Sequence, residues 1–404
     1  MEINRLSFNE LYKEITDPRI SILLGARQVG KSTLLKLIEI KAKEEGYDTA
    51  FYDLEQPRDL LHLSGNDQEV IDKLTSSNAI IFIDEFHYLK NASKIFKAIY
   101  DLRKGSTARG GIKIFASGSS SLEIHKHLKE SLAGRFIKTM IFPLSLLEWR
   151  QVPGFKEREY LQWGGLPRLI HHRDPVQRIS ILDNILSTYI TKDIKGLIQE
   201  ENIRSFNTLL YELAQSQGSV VMASNLARNI HLSEPTIVRH LEIMSQTYVL
   251  YPISSYSANL ANELKKSKKY YFFDLGLRNA LLKDFRSVQD REDKGVLYES
   301  VVLNHLVSQL KPNMEIRFWR TKGGDEVDFI LLKNRIPVPI EVKSKLQKPD
   351  LPRGMIVFLK AYPKAPFGMV FNETIEETIR AEGRLIHFKK WSASAEVEYL
   401  KEVL

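Results

Sequence analysis

The stretch Ile20-Ser-Ile-Leu-Leu-Gly-Ala-Arg-Gln-Val-Gly-Lys-Ser-Thr-Leu-Leu35 constrains the fold of this chain more than any other. Its apolar run (Ile20, Ile22, Leu23, Leu24) reads as a buried strand, and Leu34, Leu35, Leu37 and Ile38 mark a helix behind it. Between the two, Gly25, Gly30, Lys31 and Ser32 complete the pattern G-x-x-x-x-G-K-[ST]. Glycines at those places let backbone N–H groups turn toward phosphate oxygens. The lysine supplies charge to β- and γ-phosphates, and the hydroxyl is a ligand for Mg²⁺. The loop Gly25, Ala26, Arg27, Gln28, Val29, Gly30, Lys31, Ser32 and Thr33 is therefore the expected nucleotide cradle. A Gly-rich turn of no function has no reason to sit between a buried strand and a helix.

Further strands follow at Thr49–Leu54, at Ala79–Phe86 and at Gly111–Ser117. The second of these is four apolar residues ending in Asp84-Glu85, as a buried parallel strand ends at the ligand side of an α/β sheet. Asp84 is expected to hold Mg²⁺ and Glu85 to polarise the water that attacks the γ-phosphate of ATP. Ser117, where the third strand runs into Gly-Ser-Ser-Ser, is placed to read the γ-phosphate. Arg135, on a turn after a helix, could reach transition-state charge from its own subunit or a neighbour; a surface ion pair is the alternative. Alternating strands and helices predict a parallel sheet covered on both faces.

These segments (Gly-Ala-Arg-Gln-Val-Gly-Lys-Ser, Ile-Asp-Glu, Ala-Ser-Gly-Ser-Ser, Leu-Ala-Gly-Arg) resemble the AAA-type ATPase core of a bacterial and archaeal family with a C-terminal DUF4143 domain. The resemblance continues through Phe142-Pro-Leu-Ser, Tyr160-Leu-Gln-Trp-Gly-Gly-Leu-Pro167 and the tail.

Leu144–Arg150, Lys156–Trp163 and Ile179–Leu197 are helix-like, and the resemblance implies a lid that moves with the nucleotide state. The pairs His171/His172 and His125/His127 lack a third ligand at metal spacing and read as surface residues. Next come helices at Phe206–Ala214 and Ser224–Ile230 and a third capped by Ser233, then strands at Tyr248–Ile253 and Lys269–Asp274, a winged-helix pattern. In the third helix Ile237, Val238, Leu241 and Met244 are expected inside. Glu234, Thr236, Arg239, His240 and Gln246 are expected outside, with Arg239 the candidate to enter a groove. Lys265, Lys266, Lys268 and Lys269 crowd a hairpin tip suited to phosphates; a solvated tip is the plainer reading.

In the tail, Asp328 is followed on the next strand by Glu341-x-Lys343, and Glu299 lies on the preceding helix. That is the spacing of a PD-(D/E)xK nuclease site. Glu341 and Lys343, two apart on a strand, share a face that Asp328 meets across the hairpin. The carboxylates of Glu299, Asp328 and Glu341 would bind Mg²⁺ or Mn²⁺, and Lys343 would steady developing charge. Val327 stands where that motif has proline. Further strands are expected at Gly354–Leu359, Gly368–Phe371 and Leu385–Phe388.

The chain of 404 residues, 43% hydrophobic and 27% charged, is thus expected to be an α/β multidomain protein. Its divisions are an ATPase core (1–145), a helical lid (146–200), a winged helix (201–285) and a nuclease-like α/β domain (286–404). The net charge of +8 favours an anionic partner such as DNA; the absence of cysteine and of a signal peptide or long apolar run points to the cytoplasm and away from a membrane. Three functions fit: an ATPase that binds DNA and cleaves or remodels it; a nucleotide-controlled switch or DNA-binding regulator with an inert tail; and a signalling ATPase whose winged helix touches only protein. A protein partner and a homo-oligomer are compatible with all three.

Overall fold

A computed structural model describes residues 3–76, 80–103, 112–119, 132–194, 197–198, 203–257 and 268–395. The chain forms two compact units, residues 1–144 with 246–248 and residues 145–245 with 249–404. Among the described residues no helix is long and apolar enough to cross a membrane.

The first unit contains strands β1 (Ile20–Gly25), β2 (Thr49–Asp53), β3 (Ile80–Asp84), β4 (Lys113–Ser119) and β5 (Phe136–Met140). Its helices are α1 (Phe8–Lys13), α2 (Lys31–Glu44), α3 (Pro57–His62), α4 (Asp67–Thr75) and α5 (Ala92–Arg103). The strands lie parallel in the order β2-β3-β4-β1-β5. Every residue of β1 and β3 is buried, which is why these runs lack the alternation of a half-exposed strand. Ile22, Leu24, Ile81, Ile83, Ile95, Phe96 and Ile99 form the core on one side. Because the strands are parallel, Gly25, Asp84 and Ser117 all come to the carboxyl end, where Leu23 pairs with Ser117 and Asp53 with Asp84.

The second unit opens with α6 (Leu146–Trp149), started by a capping box between Ser145 and Glu148, then α7 (Glu157–Trp163) and α8 (Pro175–Thr188). Helices α9 (Ile203–Gln215), α10 (Ala223–Ile230) and α11 (Glu234–Gln246) precede a small sheet of β6 (Val220–Val221), β7 (Leu250–Ser254) and β8 (Lys268–Phe272), with β8 in the middle. After α12 (Leu275–Leu282) and α13 (Lys294–Ser308) comes a six-stranded mixed sheet. Strands β9 (Met314–Arg320), β10 (Glu326–Lys333) and β11 (Ile336–Val342) form an antiparallel meander. Helix α14 (Arg353–Ala361) then leads to β12 (Phe367–Asn372), parallel to β11, and β13 (Glu377–Ala381) and β14 (Arg384–Lys390) close the edge.

Two expectations are corrected. Residues 354–359 lie inside helix α14, not in a strand. Met355, Phe358 and Leu359 are buried at helical spacing against β10 and β11, and Ile356 and Val357 between them gave the run its strand-like look. In α11 the buried stripe is Ile237, His240, Leu241 and Met244, whereas Val238 is 50% exposed. A step of four from Ile237 stays on the inward face and a step of one does not. His240 lies edge-on to Phe206 at 5.3 Å, and burial lowers its pKa.

The predicted lid helices α7 and α8 pack on α12. Gly164, at φ +74°, comes so close to Asp274 that a Cβ would overlap its carboxylate. Asp274 starts α12 by accepting from the N–H of Leu277, and it also accepts from the N–H of Gly165 at 2.7 Å. Burial raises its pKa to about 6 although backbone N–H groups oppose this.

Candidate active site

The phosphate loop owes its shape to a few close approaches. A Cβ on Gly25 would run into the carbonyl oxygen of Ile141, whose N–H donates to Leu24 at 2.7 Å. Gln28 and Gly30 take positive φ angles of 61° and 95°, and α2 begins immediately after. Lys31, 4% exposed, donates from Nζ to the carbonyls of Gly25 at 3.1 Å and Ala26 at 2.9 Å. Arg5 fastens the loop from outside, donating to Val29 O and Phe142 O at 2.8 Å each. Val29 is buried, Arg27 lies 3.8 Å from Glu55, and Thr33 turns outward.

Asp84 faces this loop. Its Oδ1 accepts from the hydroxyl of Ser117, and the hydroxyl of Ser32 bonds the same carboxylate. Burial raises the Asp84 pKa, the two hydroxyls pull it back, and the charges of Glu85 and Asp53 push it up again. The chemistry of this donor set, a hydroxyl and a carboxylate side by side next to a buried lysine, fits Mg²⁺ with a nucleotide phosphate. Glu85 follows in a left-handed conformation (φ 53°), with Oε2 3.2 Å from His87 Nδ1.

A second cluster forms in the other unit. Glu341 Oε1 accepts from Lys343 Nζ at 2.6 Å, and its Oε2 accepts from the N–H of Asp328 at 3.3 Å. Asp328 Oδ2 accepts from the N–H of Val342 at 2.8 Å, so β10 and β11 clasp each other through both acids. Glu299, from α13, accepts from the Tyr271 hydroxyl at 3.2 Å. Burial, reinforced by the charge of Asp328, raises Glu299 to about 8 and Glu341 to about 7; burial also raises Asp328. Lys343 is raised because Glu341 and Asp328 outweigh its own desolvation. The oxygen chemistry suits Mg²⁺ or Mn²⁺. Yet among the described residues no three such ligands stand close enough together to hold a metal ion, and each of these carboxylates already has a partner from the protein.

Comparison with known proteins matches these parts. Residues 17–149 match the family model described as AAA domain, and residues 155–287 and 294–391 match domains of unknown function, DUF8612 and DUF4143. The chain thus carries an AAA domain followed by a C-terminal DUF4143 domain. An uncharacterized protein of Mycobacterium bovis is 27% identical over 338 residues, 83% of this chain and 72% of the relative. One of Methanocaldococcus jannaschii is 25% identical over 371 residues, covering 86% and 78%. Among solved structures, AMPPCP-bound DnaA from Aquifex aeolicus covers 61% of this chain and 89% of its own at 14% identity and a TM-score of 0.33, a likeness too slight to carry an argument.

Within the AAA domain Arg135 stands away from the phosphate loop. It precedes β5, whose first residue, Phe136, pairs with Ile20 at the start of β1, while the loop begins five residues on, about 16 Å at the rise of a strand. Its guanidinium bonds Asp101 at 3.1 Å and lies over the ring of Tyr100. A role within its own subunit is therefore corrected to a surface ion pair. Lys265 and Lys266 lie outside the described residues, as do His125 and His127. Lys268 is exposed, but Lys269 is 2% exposed and bonds Glu326 from a buried position, which corrects its place on a solvated tip. Arg239 is exposed and donates to Leu197 O at 3.3 Å. His171 is exposed and His172 bonds Gln177 at 3.1 Å. Sequence reasoning missed Arg5, Tyr271 and the burial of Lys269. Alternation along β8, which puts Lys269 and Tyr271 on one face, is the only local signal for the last two.

Proposed function

We propose that this ATPase hydrolyses ATP at the phosphate loop and that the nucleotide state changes its hold on nucleic acid. The convergence of Lys31, Ser32, Asp84 and Ser117 supports the first half. In this reading Lys31 exchanges the carbonyls of Gly25 and Ala26 for β- and γ-phosphate oxygens. Ser32 and Asp84 would hold Mg²⁺, which neutralises phosphate charge when bound, and Ser117 keeps the Asp84 carboxylate turned inward. Glu85 orients the attacking water. Segments 1–145, 146–200, 201–285 and 286–404 serve as core, lid, winged helix and tail. Arg239, Lys268 and the neighbouring Lys265 and Lys266 take the phosphates of DNA. Asp328, Glu341 and Lys343 stand in the strand order of a nuclease site, and cleavage belongs to the proposal on that ground.

ATP turnover tests the core: Lys31→Ala abolishes it if the loop is hydrolytic, and undiminished turnover removes the proposal. A cleavage assay with Mg²⁺ or Mn²⁺ on single-stranded, duplex and branched DNA tests the tail. Cutting that Lys343→Ala eliminates supports a nuclease. No cutting by the unaltered protein leaves a nucleotide-controlled switch with an inert tail, the reading favoured by the internal partners of Glu299, Asp328 and Glu341.

A further inference from the structure

Lys269 lies on β8, the central strand of the small sheet, opposite Val220 on one side and Ile253 on the other. It is 2% exposed. A buried ammonium loses its hydration, and it persists only where opposite charges face it. Lys269 has these. Its Nζ bonds Glu326 Oε1 and lies 5.3 Å from the centre of the Phe318 ring. Glu326 stands two residues before Asp328 on β10, and the Lys269 charge, with that of Lys343, opposes the burial that raises Glu299 and Asp328. Two residues on, from the same face of β8, the Tyr271 hydroxyl reaches Glu299. A strand counted with the winged helix thus supplies a cation and a donor to the carboxylates of the tail.

We infer that Lys269 is the internal counter-cation of the tail carboxylates, a positioning residue that takes the electrostatic place of a divalent ion among Glu299, Asp328 and Glu326. The inference rests on reading Glu299 and Asp328, with Glu341, as an oxygen-ligand set. It accounts for a cluster with the right donor chemistry in which, among the described residues, no three ligands are drawn together for a metal. A divalent cation enters only by displacing the lysine charge, so binding at the tail is weak while β8 is seated.

Mn²⁺ binding to the full chain tests this, followed by the spin resonance of free Mn²⁺. Ser32→Ala and Asp84→Asn are present throughout to silence the phosphate loop. Lys269→Met is expected to add one Mn²⁺ site or tighten an existing one about tenfold, the order expected for losing one nearby charge. Asp328→Asn then cancels the gain, and Lys269→Arg, which keeps the charge, binds like the parent. A lysine that merely braces the fold gives the opposite sign: Lys269→Met binds Mn²⁺ equally or less, and that result overturns the inference. Should Lys269→Met fail to fold by circular dichroism, Lys269→Gln, which can still bond Glu326, carries the same expectation. An Asp328-dependent site indifferent to every Lys269 variant sinks the counter-cation alone. No Asp328-dependent site in any background sinks it together with the oxygen-ligand reading.

Discussion

Arg135 donates from Nε to Asp101 Oδ1 across 3.1 Å, at the end of the parallel sheet away from the phosphate loop. Arg135→Ala should therefore leave ATP turnover in a dilute sample within about twofold of the parent, since exposed pairs of this kind contribute about 0–1 kcal/mol and only to stability. Turnover per subunit that rises with protein concentration in the parent, a rise that Arg135→Ala removes, would instead assign Arg135 to a neighbouring subunit.

Gly164 is a tight joint between the predicted lid and α12. Gly164→Ala combines a disfavoured backbone angle with overlap of Asp274, and should cost at least about 2 kcal/mol in denaturant unfolding. Gly46, also at positive φ but with nothing within 4 Å, is the control: Gly46→Ala pays the backbone cost alone, about 1 kcal/mol.

His305 gives the second unit a pH dependence of known sign. Burial, with Arg150 adding a little, lowers its pKa to about 3, and its Nδ1 lies 2.8 Å from Ser394 Oγ. The unfolded chain takes up this proton near the ordinary histidine value of about 6.5, and the folded chain does not. The contribution is therefore complete above about pH 6.5 and is lost progressively as pH falls toward 3. His305→Gln should flatten the slope of stability against pH in that window by about one proton, read from unfolding midpoints across a pH series.

Charge around α11 and β8 divides into two kinds. Lys268→Gln and Arg239→Gln should weaken DNA binding at all sequences and lower the salt slope by about one each, as phosphate contacts do. Lys269→Gln should leave that slope unchanged, because its ammonium is turned inward to Glu326. Fluorescence anisotropy with a labelled duplex at several salt concentrations separates them. A flat salt dependence in the parent would favour protein docking through α11, which exposes Glu234, Val238 and Glu242 in a line.

Much of this architecture was legible because its signals are local. The phosphate loop announces itself within sixteen residues, and the tail acids fall at strand spacing that the hairpin of β10 and β11 realises. What escaped depends on partners distant in the chain. The place of Arg135 follows from β5 lying beside β1, which no short window contains. Lys269 looks like its exposed neighbour Lys268 until Glu326, far along the chain, is folded against it. The helix at 353–361 hid because Ile356 and Val357 are strand-forming residues, and only packing of Met355, Phe358 and Leu359 overrules them. In α11, residues 237 and 238 are equally apolar, and rotation about the helix axis alone decides which is inside.

The reach of β8 into the tail sets where this molecule can be divided. A tail begun at residue 286 would carry Glu299 and Glu326 without Tyr271 and Lys269, leaving two acids to find water or each other. A fragment ended at 285 would strand the Lys269 ammonium on the face of β8. Neither half inherits a finished interior, so recombination of these parts among related chains has to move β8 with the tail, or replace both sides of the contact together.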